Sequence, residues 1–138
     1  MKMNLKYYFI ISLMLILLTV TAANATDSID GLNVTSDFNQ SLIDAQNQNK
    51  DIIVIFDQEG CYYCDVLKNN ELNNPEIQDA LNKDYITVIS DVNENPEIAV
   101  NYQIFGTPTI LHLEKNGTVI KEFEGYDEAK QFLEELTD

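Results

Sequence analysis

The sequence predicts an α/β domain: a central mixed β-sheet flanked by helices, closed by a C-terminal β-hairpin and a last helix. Three observations predict it. Ile52 to Phe56 is an unbroken apolar run rich in β-branched residues, as in a strand covered on both faces. Stretches of helical spacing lie on either side of that run. Asn116-Gly117 stands between two short strand-like segments and marks a hairpin turn.

The elements follow in order. Thr26 to Ser36 is polar, with little periodicity, and reads as a leader or a short edge strand. Asp37 is placed to cap a helix from Phe38 to about Asn49, with Phe38, Leu42, Ile43 and Ala45 inward. After the buried strand, Asp57 to Gly60 makes a turn. Cys61 to about Leu72 has helical spacing at Cys64, Leu67 and Leu72, and Pro75 starts a second piece with Ile77, Ala80 and Leu81 inward. Tyr85 to Val92 alternates as a strand. Asn95-Pro96 caps a short helix carrying Ile98, Ala99 and Tyr102. Gly106-Thr107-Pro108 breaks the chain, and Thr109–Glu114 and Thr118–Phe123 form the hairpin. Asp127 caps a last helix with Ala129, Phe132, Leu133 and Leu136 on one side. The order is α, β, α, β, α, β, β, α.

The chain has 138 residues, enough for one domain and too few for two separate cores. Residues 1–25 read as a signal peptide. Lys2 and Lys6 form a basic start, Tyr7 to Val20 is apolar apart from Ser12 and Thr19, and Ala23-Asn24-Ala25 offers a cleavage site before Thr26. The run is shorter than the ~20 apolar residues of a spanning helix, which makes a retained anchor the lesser alternative. Residues 26–36 are then a leader and 37–138 the domain. The expected location is outside the cytoplasm, secreted or associated with the cell envelope. Asn33, Asn39 and Asn116 begin Asn-x-Ser/Thr tripeptides, glycan acceptors in an exported chain.

Beyond residue 25 there are six lysines, no arginine and all 23 acidic residues, a formal charge of −17. Such a surface is soluble and repels nucleic acid and anionic headgroups, so neither is an expected partner. Membrane contact is expected only if the N-terminal segment is retained, and the domain reads as a monomer.

The two cysteines, Cys61 and Cys64, are three positions apart. A bridge that short removes little loop entropy and is a poor staple, but it is well placed to open and close. Cys61 falls where a strand turns into a helix. There, unpaired backbone N–H groups and the positive end of the dipole favour thiolate over thiol. Cys64, one turn on, is placed to attack a mixed disulfide on Cys61. Zinc uses the same spacing but needs about four ligands, and beyond the cysteines only His112, read as an ordinary strand histidine, is a soft candidate. Covalent haem needs histidine after the second cysteine, and Asp65 stands there. No metal or other cofactor is expected.

With Cys61-Tyr62-Tyr63-Cys64 after the first long buried strand and Gly106-Thr107-Pro108-Thr109 just before a hairpin, the chain resembles the thioredoxin superfamily over about residues 37–137. The resemblance implies a thioredoxin-like fold and the activity of a protein disulfide oxidoreductase. It also implies a cis Pro108 beside the disulfide and a Thr107 backbone that pairs with an extended client. Tyr62 and Tyr63 fit an apolar rim facing the client, with Tyr62 the more exposed. The C-x-Tyr-C pattern is similar to glutaredoxins and periplasmic disulfide isomerases, and the threonine before the proline is similar to the isomerases. Ile55 stands where thioredoxins carry a buried acid that assists the second cysteine; Asp57 lies on the turn and is not read as its substitute. Asp57, Glu59 and Asp65 oppose the thiolate. Lys68, the nearby cation, is expected to pair with Asp65 or Glu71.

The expected function is exchange of disulfides with exported clients, recycled by an electron donor or acceptor. Reductase, oxidase and isomerase directions all use these residues. Two other readings share the motif: a copper-handling or cytochrome-maturation chaperone of this fold, and a client-binding domain with a vestigial dithiol.

Overall fold

The computed structural model describes residues 28–137, and the segment read as a signal peptide lies outside them. The sheet has five strands in the order β1-β3-β2-β4-β5. They are β1 Val34–Thr35, β2 Asp51–Asp57, β3 Tyr85–Asp91, β4 Thr109–Leu113 and β5 Val119–Glu124. β1 and β2 flank β3 in parallel, whereas β4 runs antiparallel to β2 and β5 antiparallel to β4. The helices are α1 Phe38–Gln48, α2 Tyr62–Asn69, α3 Pro75–Asp84, α4 Pro96–Asn101 and α5 Gly125–Glu135, with a 3-10 turn at Glu71–Asn73 between α2 and α3.

Strand β2 explains the layering. Its side chains alternate between two cores, and Ile52 through Asp57 are all buried. Ile52, Val54 and Phe56 pack with Phe38 and Ala45 of α1 and Ala99 of α4. Ile53 and Ile55 pack with Leu67 of α2, Ile77 and Leu81 of α3, and Ala129 and Leu133 of α5. One strand thus fixes three helices on one face and two on the other. The mixed sheet between helices, closed by hairpin and helix, is the predicted fold.

Several details differ from the sequence reading. Ile43 is 53% exposed, and Ser41 is buried in its stead with its hydroxyl donating to the Asp37 carbonyl at 2.7 Å. The inward stripe of α1 runs through Phe38, Ser41 and Ala45, and Ile43 lies off it at 3.6 residues per turn. Asp37 does cap α1, accepting the Gln40 N–H at 2.9 Å. On α3 the buried residues are Ile77, Gln78 and Leu81, while Ala80 is half-buried. The Gln78 amide donates to the carbonyls of Leu72 and Asp30 at 2.8 Å each, which makes its burial affordable. The helix after the motif stops at Asn69 rather than near Leu72. α5 begins at Gly125, ahead of the expected Asp127 cap, and neither it nor α4 has a side-chain cap bond.

Residues ahead of Asp37 pack with the domain. Leu32 is buried, and Asn82 on α3 accepts from the Asn33 N–H and donates to the Gly31 carbonyl. The hairpin forms at Asn116-Gly117. Gly117 has φ +88°, a region that favours glycine, and Asn116 Oδ1 accepts the Thr118 N–H at 2.9 Å.

Candidate redox site

β2 ends with Asp57, and a turn closed by the Cys61 N–H donating to the Gln58 carbonyl delivers Cys61 to the start of α2. Cys61 is the N-cap of that helix, and its Sγ accepts the Cys64 N–H at 3.2 Å. This is the arrangement that stabilises a thiolate at a helix N-terminus. Cys61 and Cys64 are joined in a disulfide with their Cα atoms 5.3 Å apart. Cys61 is half-buried, while Cys64 is 2% exposed and packs inside the domain. The two sulfurs are therefore unequal in access, one reachable from solvent and one behind it.

The loop before β4 sits against this pair. The Thr107–Pro108 peptide is cis and Pro108 is buried. The Thr107 carbonyl oxygen lies 3.6 Å from Cys61 Sγ. A disulfide sulfur has no proton to give, but a Cys61 thiol could donate to this oxygen. Two bonds fix the loop. The Thr109 hydroxyl donates to the Gly106 carbonyl, and the Gly125 N–H donates to the Pro108 carbonyl, both at 2.9 Å. Cys61, Cys64, Thr107 and Pro108, 46 residues apart at the Cys61–Thr107 contact, are thus brought together.

Tyr62 is 72% exposed and Tyr63 56%. Tyr62 meets Tyr63 edge-on at 5.3 Å, and Tyr63 stacks on Tyr126 at 5.5 Å. Tyr126 had no signal in the sequence, because its neighbours in space come from distant segments. Its hydroxyl donates to Oε1 of buried Glu71 at 3.0 Å. Loss of water, and then the Glu71 carboxylate, push the Tyr126 hydroxyl above the ordinary tyrosine value of 10.0. A raised value in the folded state favours the neutral phenol. That stabilisation is complete below the ordinary value and is lost as pH rises through the folded one. Tyr126→Phe keeps the ring stack and removes the ionisation. It is expected to be less stable than wild type by about 1 kcal/mol at neutral pH. It should then lose less stability in alkali, leaving the similar contributions of Tyr85 and Tyr102. Parallel thermal melts across the alkaline range check this.

The charges are arranged differently from the expectation. Asp57 does not belong to the turn, as the sequence suggested; it closes β2 and is buried. Lys68 makes its short contact with Asp57 Oδ2 at 2.6 Å, and Asp65 is further away at 3.8 Å. The sequence reading missed this because it weighed only helical neighbours, while the strand end lies beneath the helix. Asp57, Glu59, Asp65, Lys68, Asp91 and Glu94 line an open cleft of about 470 Å³ beside the motif. His112 stays away from the cysteines. Its Nε2 lies 3.0 Å from Asp51 Oδ2, and its ring packs near Tyr85 and Phe132. Among the described residues, no group of three or more histidine, cysteine or carboxylate side chains is placed to hold a metal ion.

Residues 38–138 match the model of a thioredoxin-like domain. The chain belongs to the thioredoxin-like family. A thioredoxin from Thermus thermophilus is 25% identical, with a TM-score of 0.67 over 77% of this chain and 85% of that one. A thioredoxin-fold protein from Helicobacter pylori is 26% identical, with a TM-score of 0.57 over 64% and 68%. A disulphide isomerase from Xylella fastidiosa shares the fold at 18% identity, with a TM-score of 0.62 over 88% and 99%. No curated protein matches the chain by sequence. A thioredoxin-like fold carrying its Cys-x-x-Cys pair as a disulfide is the frame of a thiol–disulfide oxidoreductase.

Proposed function

We propose that this protein is an exported thiol–disulfide oxidoreductase, with Cys61 as the nucleophile, Cys64 as the resolving thiol and client proteins as substrates. The observation that carries the reading is the inequality of the two sulfurs, one at a solvent-facing helix N-terminus and one buried behind it. Working as a reductase, Cys61 thiolate attacks a client disulfide, forming a Cys61–client bond and releasing one client sulfur with the electron pair. Cys64, losing its proton, attacks Cys61 Sγ. The Cys61–Cys64 bond forms, and the second client sulfur leaves and is protonated. The client gains two electrons and the protein loses two. Oxidation of a client is the same sequence in reverse.

Thr107 and Pro108 hold an extended client next to Cys61, and Tyr62 and Tyr63 border it. An electron donor or acceptor restores the starting state, and the signal-like segment supports action outside the cytoplasm. In Cys64→Ser the second step is blocked, so the reduced variant should accumulate mixed disulfides with a disulfide-bonded client such as insulin. Non-reducing gels followed by mass spectrometry read this out. A reduced Cys64→Ser protein that traps nothing would count against the assignment of roles.

A further inference from the structure

Among the described residues, phenylalanine is a core residue with one exception. Phe38, Phe56, Phe123 and Phe132 are buried, whereas Phe105 is 92% exposed. Its neighbours on both sides are anchored. Ile104 packs against the core with its N–H donating to the Ala99 carbonyl at 2.9 Å, and the Gly106 carbonyl accepts the Thr109 hydroxyl at 2.9 Å. The loop therefore holds the ring in solvent, where it adds nothing to the core. Phe105 is two residues before Thr107, so its Cα lies within about 7 Å of the residue whose carbonyl faces Cys61. Tyr62 and Tyr63, directly after Cys61, are the other exposed aromatic side chains among the described residues.

Carboxylates stand beside these rings. Glu124 Oε1 is 4.0 Å from the place a Cβ on Gly106 would take, next to Phe105 in the chain. Asp65 is three residues after Tyr62 on α2, which makes the two neighbours on the helix surface, and both are exposed. Glu59 is exposed two residues before Cys61. Lys68, the lysine of the adjoining cleft, is bonded to Asp57. The sheet orders the charges over the whole domain. β2 and β3 end, and β4 begins, at the end that carries the motif. Lys50 just before β2, Lys83 just before β3 and Lys115 just after β4 all belong to the opposite end.

An aromatic ring with a carboxylate near it is the chemistry that recognises lysine or arginine. The aliphatic stem and the cation lie against the ring, and the charged head reaches the acid. Rings alone would accept any apolar side chain, and carboxylates alone would supply only a salt-screened field. We infer that the site selects client segments with Lys or Arg on both sides of the reactive cysteine. One basic side chain lies against Phe105 and Glu124, the other against Tyr62, Asp65 and Glu59. The polarity of the domain steers such clients to the motif end. This rests on the exchange reading above and names its clients.

Three end-capped peptides, alike except for Lys, Ser or Glu on both sides of a single cysteine, test this. The cysteine is carried as a mixed disulfide with 2-thiopyridine. Reduced Cys61 attacks the peptide sulfur, and thiopyridone leaves with the electron pair and is followed by its absorbance. Each rate is divided by that of 2-mercaptoethanol on the same peptide, which removes the disulfide's intrinsic reactivity. At low ionic strength the Lys peptide should react at least about tenfold faster than the Ser peptide, and the Glu peptide slowest. The Lys-to-Glu ratio should shrink several-fold between about 0.02 M and about 0.5 M salt. Phe105→Ala should slow the Lys peptide about two- to fivefold, and Phe105→Tyr, which keeps a ring, should restore the rate. The double variant Glu59→Gln/Glu124→Gln should lower the Lys-to-Glu ratio at least about fivefold. Equal normalised rates for the three peptides overturn the inference. So does a ratio that neither salt nor the double variant lowers, or a Phe105→Ala protein that treats the Lys peptide as wild type does. A wild-type protein that releases no thiopyridone from any of the three overturns the exchange reading itself.

Discussion

Cys61→Ser is expected to abolish insulin reduction, with activity falling on the order of a thousandfold or more into the uncatalysed background. A serine hydroxyl forms no disulfide, so there is no mixed intermediate for Cys64 to resolve. The opposing terms at this position make the test informative. The helix N-terminus and the Cys64 N–H stabilise negative charge on Cys61, whereas Glu59 and Asp65 oppose it. Both matter only if the sulfur carries charge during the reaction. The stability effect is separable from the chemical one. A bridge spanning three positions contributes about 2 kcal/mol in the chain-entropy model, against roughly 5–15 kcal/mol for a whole domain. The variant should therefore remain folded, with a thermal midpoint about 8–10 °C below that of the oxidised wild type. A folded Cys61→Ser protein that still reduces insulin would remove Cys61 from the chemistry.

What was legible in the sequence was whatever is local or strongly periodic. The β2 run could be read because burial on both faces leaves no polar gap. The hairpin could be read because Asn116-Gly117 suits a single backbone geometry. The cysteine pair, with Gly106-Thr107-Pro108 downstream, carried both the fold and the site. The rest depends on contacts between distant segments. Asp57 and Lys68 are 11 residues apart and meet only because β2 runs one residue further than its apolar stretch, turning an acid inward beneath α2. Glu71 and Tyr126 are 55 apart, and no periodicity links a 3-10 turn to the start of the last helix. β1 has two residues, too few for alternation to register, and is held by its parallel pairing to Thr87 and Val88. Ser41 and Ile43 show the limit of polarity as a guide. A short hydroxyl that bonds its own helix can be buried, and helix phase then decides against the larger apolar side chain.

Phe56→Ala should be the most damaging single truncation for stability, at about 3–5 kcal/mol. Phe56 is fully buried on the central strand, in the cluster with Phe38, Val54, Val88, Ala99 and Leu111. Its loss removes the ring's transfer energy and leaves a cavity that helices on one side and a sheet on the other cannot close. For a domain of this size the change corresponds to a thermal midpoint about 12–25 °C lower. The effect should reach the site as well. Phe56 is the residue before Asp57, and it pairs across the sheet with Thr109, the residue after Pro108. The residue therefore adjoins both the turn that delivers Cys61 and the loop beside it, so slower thiol exchange should accompany the lower midpoint. Ile120→Ala is the control. That side chain is also large and apolar, but it is about half exposed on edge strand β5, and its removal should change stability by less than about 0.5 kcal/mol. If the two variants melted together, burial on β2 would not be what holds this domain.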